Sequence, residues 1–349
     1  MSSTPSVLIL GARGRFGLAA VRAFAQAGWQ VHAQMRPGRT TDGVLDGWPA
    51  GQVHPLALSL DDPAAIARAA AGAQVVVHAV NPVYTQAAWR TEAPALLEAA
   101  IAIAGQLKAC LMLPGNVYNF GEHLGTELTE ATPQTAGTVK GQIRIAMEQR
   151  LQRAAAEAAL RAVVIRAGDF FGSGSGTWID QAMVPKLRSG RVTYPGALDV
   201  PTAWAYLPDL ARAFVAVATR RDALPAFETL HFGGYQLTGQ DWVDALTDIA
   251  WEQGWLPAGG RLKVGTLPWP LIRLGSLFNP VWAALLEMRY LWQRPHRLAN
   301  HKLCALIGEE PHTPFAQAAR DTLASLGMLK APLGVSPSSL PRQAALVSH

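Results

Sequence analysis

Val7-Leu8-Ile9-Leu10-Gly11-Ala12-Arg13-Gly14-Arg15-Phe16-Gly17 reads as strand, turn and helix start in a single stretch. Four apolar residues predict a buried strand, and an apolar helix is expected over Leu18–Ala27. Between them the glycines fall at the spacing G-x-x-G-x-x-G. Such a turn brings backbone N–H groups and a helix N-terminus up to a pyrophosphate, and glycine is required wherever a Cβ would block the approach. Its place directly between strand and helix marks a dinucleotide site rather than a structural turn. Gly11, Arg13, Gly14, Arg15, Phe16 and Gly17 are therefore the expected cofactor cradle.

Outward from this unit, strand-like and helix-like segments alternate, the pattern of a parallel sheet with crossover helices. Strands are predicted at Gln30–Gln34, Val53–Leu58, Gln74–Ala79, Lys108–Leu113 and Ala162–Arg166. Helices are predicted over Pro63–Ala71, Thr91–Gly105, Thr138–Ala158 and Leu207–Thr219, and a short strand over Thr229–Phe232. The expected fold is α/β: a doubly wound parallel sheet (Rossmann) with a smaller, mostly helical C-terminal substrate lobe. Residues 1–166 and 203–235 are assigned to the NAD(P)-binding domain and 167–202 and 236–330 to the lobe. Residues 331–349, rich in Pro and Ser, read as a loosely ordered tail. Trp242, Trp251, Trp255, Trp269, Trp282 and Trp292 read chiefly as packing, with closure over a ring-containing or apolar substrate as the functional option.

The 349 residues are half hydrophobic, only 16% charged and carry a net charge of +5, which excludes a disordered chain. Lys and Arg are scattered, so no nucleic-acid partner is expected. Cys110 and Cys304 lack metal-ligand spacing and read as buried thiols in a reducing compartment. The first residues lack a basic region of the signal-peptide type, and the least polar later stretch, Leu274–Leu286, has 13 residues and contains Pro280. A cytoplasmic protein with no membrane partner is expected, with a small-molecule substrate and a homodimeric state. No metal site is expected.

Dinucleotide folds discriminate between cofactors at the end of the second strand, where a carboxylate would bind the ribose 2′-hydroxyl. Here the strand reads Val31-His32-Ala33-Gln34-Met35-Arg36, with no carboxylate and a terminal arginine. Arg36 and Arg13 together suit a 2′-phosphate, so NADP(H) is favoured over NAD(H).

The glycine turn, the strand Val75–Ala79 and three later landmarks resemble the extended short-chain dehydrogenase/reductase family, the NAD-dependent epimerase/dehydratase group. The landmarks are Asn116-Val117-Tyr118-Asn119-Phe120-Gly121, Arg166-Ala167-Gly168-Asp169-Phe170-Phe171-Gly172 and Ala205-Tyr206-Leu207-Pro208-Asp209-Leu210-Ala211. The resemblance implies that Ser59 and Leu60 flank the adenine and that Ala79, Val80 and Asn81 run past the nicotinamide ribose. It also implies a structural role for Asp209 at a strand-to-helix junction.

The family's catalytic residues do not carry over. Pro114 stands where the resemblance calls for Ser, and the element matching Tyr-Gly-x-x-Lys is Lys140-Gly141-Gln142-Ile143-Arg144, with Glu148 at the helix glutamate. A rival register places Lys140 at the lysine and Ala136 at the tyrosine, but loses Gly141 and Glu148. Lys140 is the candidate acid/base, provided burial and Arg144 lower its pKa; atypical reductases of the isoflavone-reductase kind use a lysine in this part of the fold. The bland reading is that Lys140 only binds cofactor. Tyr118 and Asn116 are candidates for the carbonyl hydrogen bond, or else loop-capping groups. Tyr84 and Phe170 are expected to touch substrate. His78 reads as a core histidine, and Arg294, His296, Arg297, His301 and Lys302 as a solvated face.

Three functions follow. The first is NADPH-linked reduction of a small carbonyl or enone with Lys140 as proton donor or acceptor. The alternatives are nucleotide-sugar epimerisation or dehydration, and a non-catalytic NADP(H)-sensing regulator.

Overall fold

A computed structural model describes residues 4–38, 48–157 and 160–329. The expected tail at 331–349 lies outside the described residues. β1 (Ser6–Leu10) runs through the glycine turn into α1 (Arg15–Gln26), followed by β2 (Gln30–Met35) and β3 (Val53–Ala57). Next come α2 (Pro63–Ala69), β4 (Val75–His78), α3 (Gln86–Leu107), β5 (Cys110–Asn116) and the short β6 (Glu127–Leu128). α4 (Val139–Glu157), β7 (Ala162–Ala167), β8 (Asp169–Phe171), β9 (Arg191–Tyr194), β10 (Thr202–Tyr206) and α5 (Leu207–Thr219) follow. β11 (Phe227–His231), β12 (Tyr235–Leu237), α6 (Gly239–Glu252), β13 (Lys263–Thr266), α7 (Trp269–Gly275) and α8 (Pro280–Glu287) lead to β14 (Arg297–Leu298), α9 (His301–Ile307) and α10 (Phe315–Ser325).

The central sheet has seven parallel strands in the order β11-β7-β5-β4-β1-β2-β3. The chain turns outward from β1 to β2 and β3, then returns to β4 on the other side, so a crevice opens at the carboxyl ends of β1 and β4. Both faces are covered, which is why the strands are continuously apolar. Val7, Ile9, Val75 and Val77 pack with α1 and α5, where Phe16 meets Phe214 edge-on at 4.8 Å. Leu8, Leu10 and Val76, pointing the opposite way, pack with α2, α3 and α4.

The structure differs from the expected elements at two informative places. α3 begins at Gln86 because Thr85 caps it, its hydroxyl accepting the Ala88 N–H at 3.2 Å. β5 continues past Leu113 through Pro114. Its pairing with β4 ends at Met112 while its pairing with β7 runs on to Asn116, so the missing proline N–H falls where no β4 partner remains.

A second core lies above the sheet's carboxyl edge. β8, β10 and β12 form a three-stranded sheet that packs Phe171, Trp204 and Tyr235 against Trp242 of α6. Trp242 and Trp292 are buried and serve packing, whereas Trp251 and Trp282 are about two-fifths exposed, at 42% and 40%. Asp209 sits buried in the first turn of α5, where it accepts from the Thr313 N–H and hydroxyl, both at 2.7 Å. Cys110 is buried and Cys304 only half-buried; both are free thiols.

Candidate active site

The cradle forms because two positions have no room for a side chain. Gly11 has φ +78°, and a Cβ there would lie 2.6 Å from Val80 Cγ1. At Gly17 a Cβ would stand 2.1 Å from the Gly11 carbonyl oxygen, so only glycine lets α1 approach β1 this closely. α1 has no acidic residue in its first turn, and its N-cap, Gly14, offers no side-chain acceptor. Its first N–H groups therefore remain for an anion. Arg15 adds a buried Nη1 with no hydrogen-bond partner, near Asp180 and Tyr118. An uncapped helix start and an unmatched guanidinium nitrogen fit a dinucleotide pyrophosphate. The Phe16 ring packs edge-on against Phe214, which leaves its backbone N–H at the turn.

Gln34 is a contributor that the sequence did not suggest. Buried at the end of β2, its Oε1 accepts the Gly11 N–H at 2.9 Å and its Nε2 donates to the Leu58 carbonyl at 2.6 Å. It fastens the turn to the ends of three neighbouring strands. Arg13 and Arg36 are exposed at the same edge. The Ser59 hydroxyl donates to Asp61 at 2.9 Å, and Leu60 packs partly on the sheet core.

Lys140 lies in the first turn of α4 with no solvent exposure. Its ammonium donates to Glu287 Oε2 at 3.2 Å and to the Ala284 carbonyl at 3.4 Å, and lies 4.4 Å from the centre of the Tyr84 ring. Glu287 Oε1 also accepts the Lys140 backbone N–H at 3.1 Å, and its Oε2 accepts from Gln86 at 3.1 Å. Burial pushes the Lys140 pKa down, and Glu287 opposes that shift. The charged neighbour is thus an acid at the end of α8, not Arg144. Arg144, one turn further along α4, donates to Asn81 Oδ1 at 3.3 Å and to the Pro114 carbonyl at 3.5 Å, and stacks near Trp89. Glu287 is the single acid between Gln253 and His296, a compositional mark that does not by itself point to Lys140.

The phenols of Tyr84 and Tyr118 interact beside this pair, and burial raises both pKa values. Asn116 caps the loop after β5, its Oδ1 accepting the Tyr118 N–H at 3.0 Å, so its carbonyl oxygen is spent on the backbone. Half-buried Phe170 packs against the main core, and alternation along β8 sends Asp169 and Phe171 the other way. The Asp169 carboxyl accepts from Trp292 Nε1 at 3.1 Å, lies near Tyr84, Tyr118 and Tyr290, and is raised to about 7 by burial.

Other polar groups are structural. Glu148 accepts from Arg166 at 2.6 Å, with Asn119 and Gln134 on the same carboxylate and His231 beside the guanidinium. His78 is buried in the core and lowered to about 4 by desolvation and by Arg144. In the group expected to form a solvated face, Arg297 and Lys302 pair with Glu127 and Glu228, and His296 is buried beneath the Arg294 carbonyl. Among the described residues no cluster of His, Cys, Asp or Glu could hold a metal ion.

A switch-point crevice with a glycine cradle and an adjoining buried lysine–glutamate pair defines a dinucleotide-dependent enzyme of α/β build. The chain belongs to the NAD dependent epimerase/dehydratase family, whose model matches residues 7–233. Its structure is similar to UDP-glucose 4-epimerase from Brucella ovis in complex with NAD, at TM-score 0.71 and 12% identity, covering 94% of this chain and 99% of that one. UDP-glucuronic acid 4-epimerase from Bacillus cereus in complex with NAD matches at TM-score 0.69 and 14% identity, covering 92% of this chain and 98% of that one. UDP-glucose-4-epimerase from Stenotrophomonas maltophila, with bound NAD and formylated UDP-arabinopyranose, matches at TM-score 0.70 and 15% identity, covering 92% and 97% respectively. No curated protein matches the chain.

Proposed function

We propose that this enzyme acts at a carbon alternating between hydroxyl and carbonyl, with Lys140 handling the proton on the substrate oxygen. The carrying observation is the fully buried ammonium, held by Glu287, one helical turn from an arginine bound to Asn81 at the end of β4. A dinucleotide held in the glycine cradle would supply reversible hydride exchange. Lys140 Nζ gives a proton to the oxygen as carbonyl becomes hydroxyl and takes it back in the reverse direction. Burial loosens that proton and Glu287 keeps the donor charged. With Pro114 in place of a serine, the Tyr118 phenol is the proposed partner for the carbonyl oxygen.

NADP(H) is the proposed dinucleotide. The reading is supported by Arg13 and Arg36 at the cradle's edge and by the inward commitment of Gln34, which leaves no carboxylate there.

Two substrate readings remain distinct. Reduction of a small carbonyl or enone is supported by the aromatic enclosure of Tyr84, Tyr118, Tyr290 and Trp292. Epimerisation of a nucleotide sugar has the stronger support from family membership and from the epimerases named above. A cleft of about 450 Å³, where Arg289 stacks 4.8 Å from the Trp269 ring, adds a surface suited to a base and phosphate. Denaturing the purified protein and identifying any released dinucleotide begins the test. Turnover of UDP-sugars and NADPH oxidation on a carbonyl panel are then measured with Lys140→Ala as control. UDP-sugar interconversion supports the epimerase, and carbonyl-dependent NADPH oxidation supports the reductase. Undiminished turnover in the variant removes Lys140 from the reaction; NADP(H) binding without turnover favours the sensor.

A further inference from the structure

We propose that the α7–α8 hairpin docks peripherally on the surface of an anionic lipid bilayer. Leu271, Leu274, Leu277, Phe278, Val281 and Trp282 are exposed together, Leu277 by 75% and Phe278 by 86%. A contiguous apolar patch on a soluble surface marks an interaction site. The hairpin is built rather than loose. Gly275 lies directly against the Trp282 ring, where a Cβ would clash at 2.2 Å, and Asn279 caps α8 by accepting the Val281 and Trp282 N–H groups. The tip therefore holds Leu277 and Phe278 outward.

Charge selects the occupant. Between Gln253 and His296 the chain carries Arg261, Lys263, Arg273, Arg289 and Arg294 but one acid, Glu287, whose carboxylate is turned inward onto Lys140. Arg261, Lys263 and Arg273 are exposed near the apolar residues in sequence. Apolar residues set among cations match the acyl boundary and headgroups of an anionic bilayer. A two-fold contact with a second copy would set each basic face against itself. No helix among the described residues is long and apolar enough to cross a membrane, and surface docking requires none. The expectation of no membrane partner rests on spanning length, which surface docking does not involve. Docking would bear on the helix that carries Glu287, although the inference stands apart from the substrate reading.

The test is co-sedimentation of the full chain with vesicles of phosphatidylcholine alone or with 30% phosphatidylglycerol (roughly the anionic content that gives a clear surface potential). Preferential pelleting with anionic vesicles is expected, weakened by salt and at least about tenfold weaker for Leu277→Glu/Phe278→Glu and for Arg273→Glu. Circular dichroism establishes that the variants remain folded. No pelleting at low salt overturns the proposal, as does equal pelleting by the folded double variant. So does a dimer in sedimentation velocity that the double variant dissolves, because the patch would then belong to a second copy.

Discussion

Glu287 grips Lys140 twice, accepting its backbone N–H at 3.1 Å with one oxygen and its ammonium at 3.2 Å with the other. The residue at the end of α8 thus fixes both the start of α4 and the group proposed to handle the proton. Lys140→Met should lower kcat by about 10²–10⁴, the usual contribution of acid/base catalysis. It should also destabilise the fold by about 3–5 kcal/mol, because a buried carboxylate loses its cation. Adding Glu287→Gln should restore much of the stability and none of the turnover. Recovered turnover in the double variant would remove Lys140 from the chemistry.

Glu287→Gln alone should act through pH. Burial lowers the Lys140 pKa and Glu287 opposes this, so removing the carboxylate lets the pKa fall further. The alkaline limb of the kcat profile, where the donor loses its proton, should move to lower pH. An unchanged limb would show that Glu287 does not set the protonation of the donor.

The sequence carried the sheet and the cradle because both depend on local pattern: apolar runs for strands, and glycine where Gly11 and Gly17 leave no space. The reactive end was harder to read. Glu287 reaches Lys140 across 147 positions, and no periodicity reports such a contact. Neighbouring residues on β8 diverge, Phe170 packing on the main core while Asp169 accepts from Trp292, and sequence spacing alone does not say which face meets the crevice. Asn116 and Phe16 belonged to readable motifs, yet hydrogen bonding of one and ring packing of the other decide what they can touch.

Asp169→Asn should alter stability with a defined pH signature. Burial raises its carboxyl from 3.8 to about 7, so the folded state binds more protons between these values and wild-type stability falls as pH rises through them. Asparagine keeps an acceptor for Trp292 and removes the ionisation cost. Its advantage over wild type should grow by about 4 kcal/mol from pH 4 to pH 8. Denaturant melts at the two pH values measure it, and a pH-independent difference would show that Asp169 ionises normally.

The last prediction concerns the cofactor. Arg13 and Arg36 stand exposed at the edge of the cradle, while Gln34, the polar group between them and the strand ends, is occupied by Gly11 and Leu58. If the arginines meet a 2′-phosphate, each contributes a charge-assisted contact that NAD cannot use. Arg36→Ala and Arg13→Ala should each weaken NADPH binding about tenfold, consistent with about 1.4 kcal/mol per charged hydrogen bond. NADH affinity should change by less than about twofold, since its ribose carries no charge to lose. Fluorescence titration of both dinucleotides provides the comparison. Parallel losses for NADPH and NADH would mean that the arginines bind a phosphate common to the two, and the preference for NADP would fall.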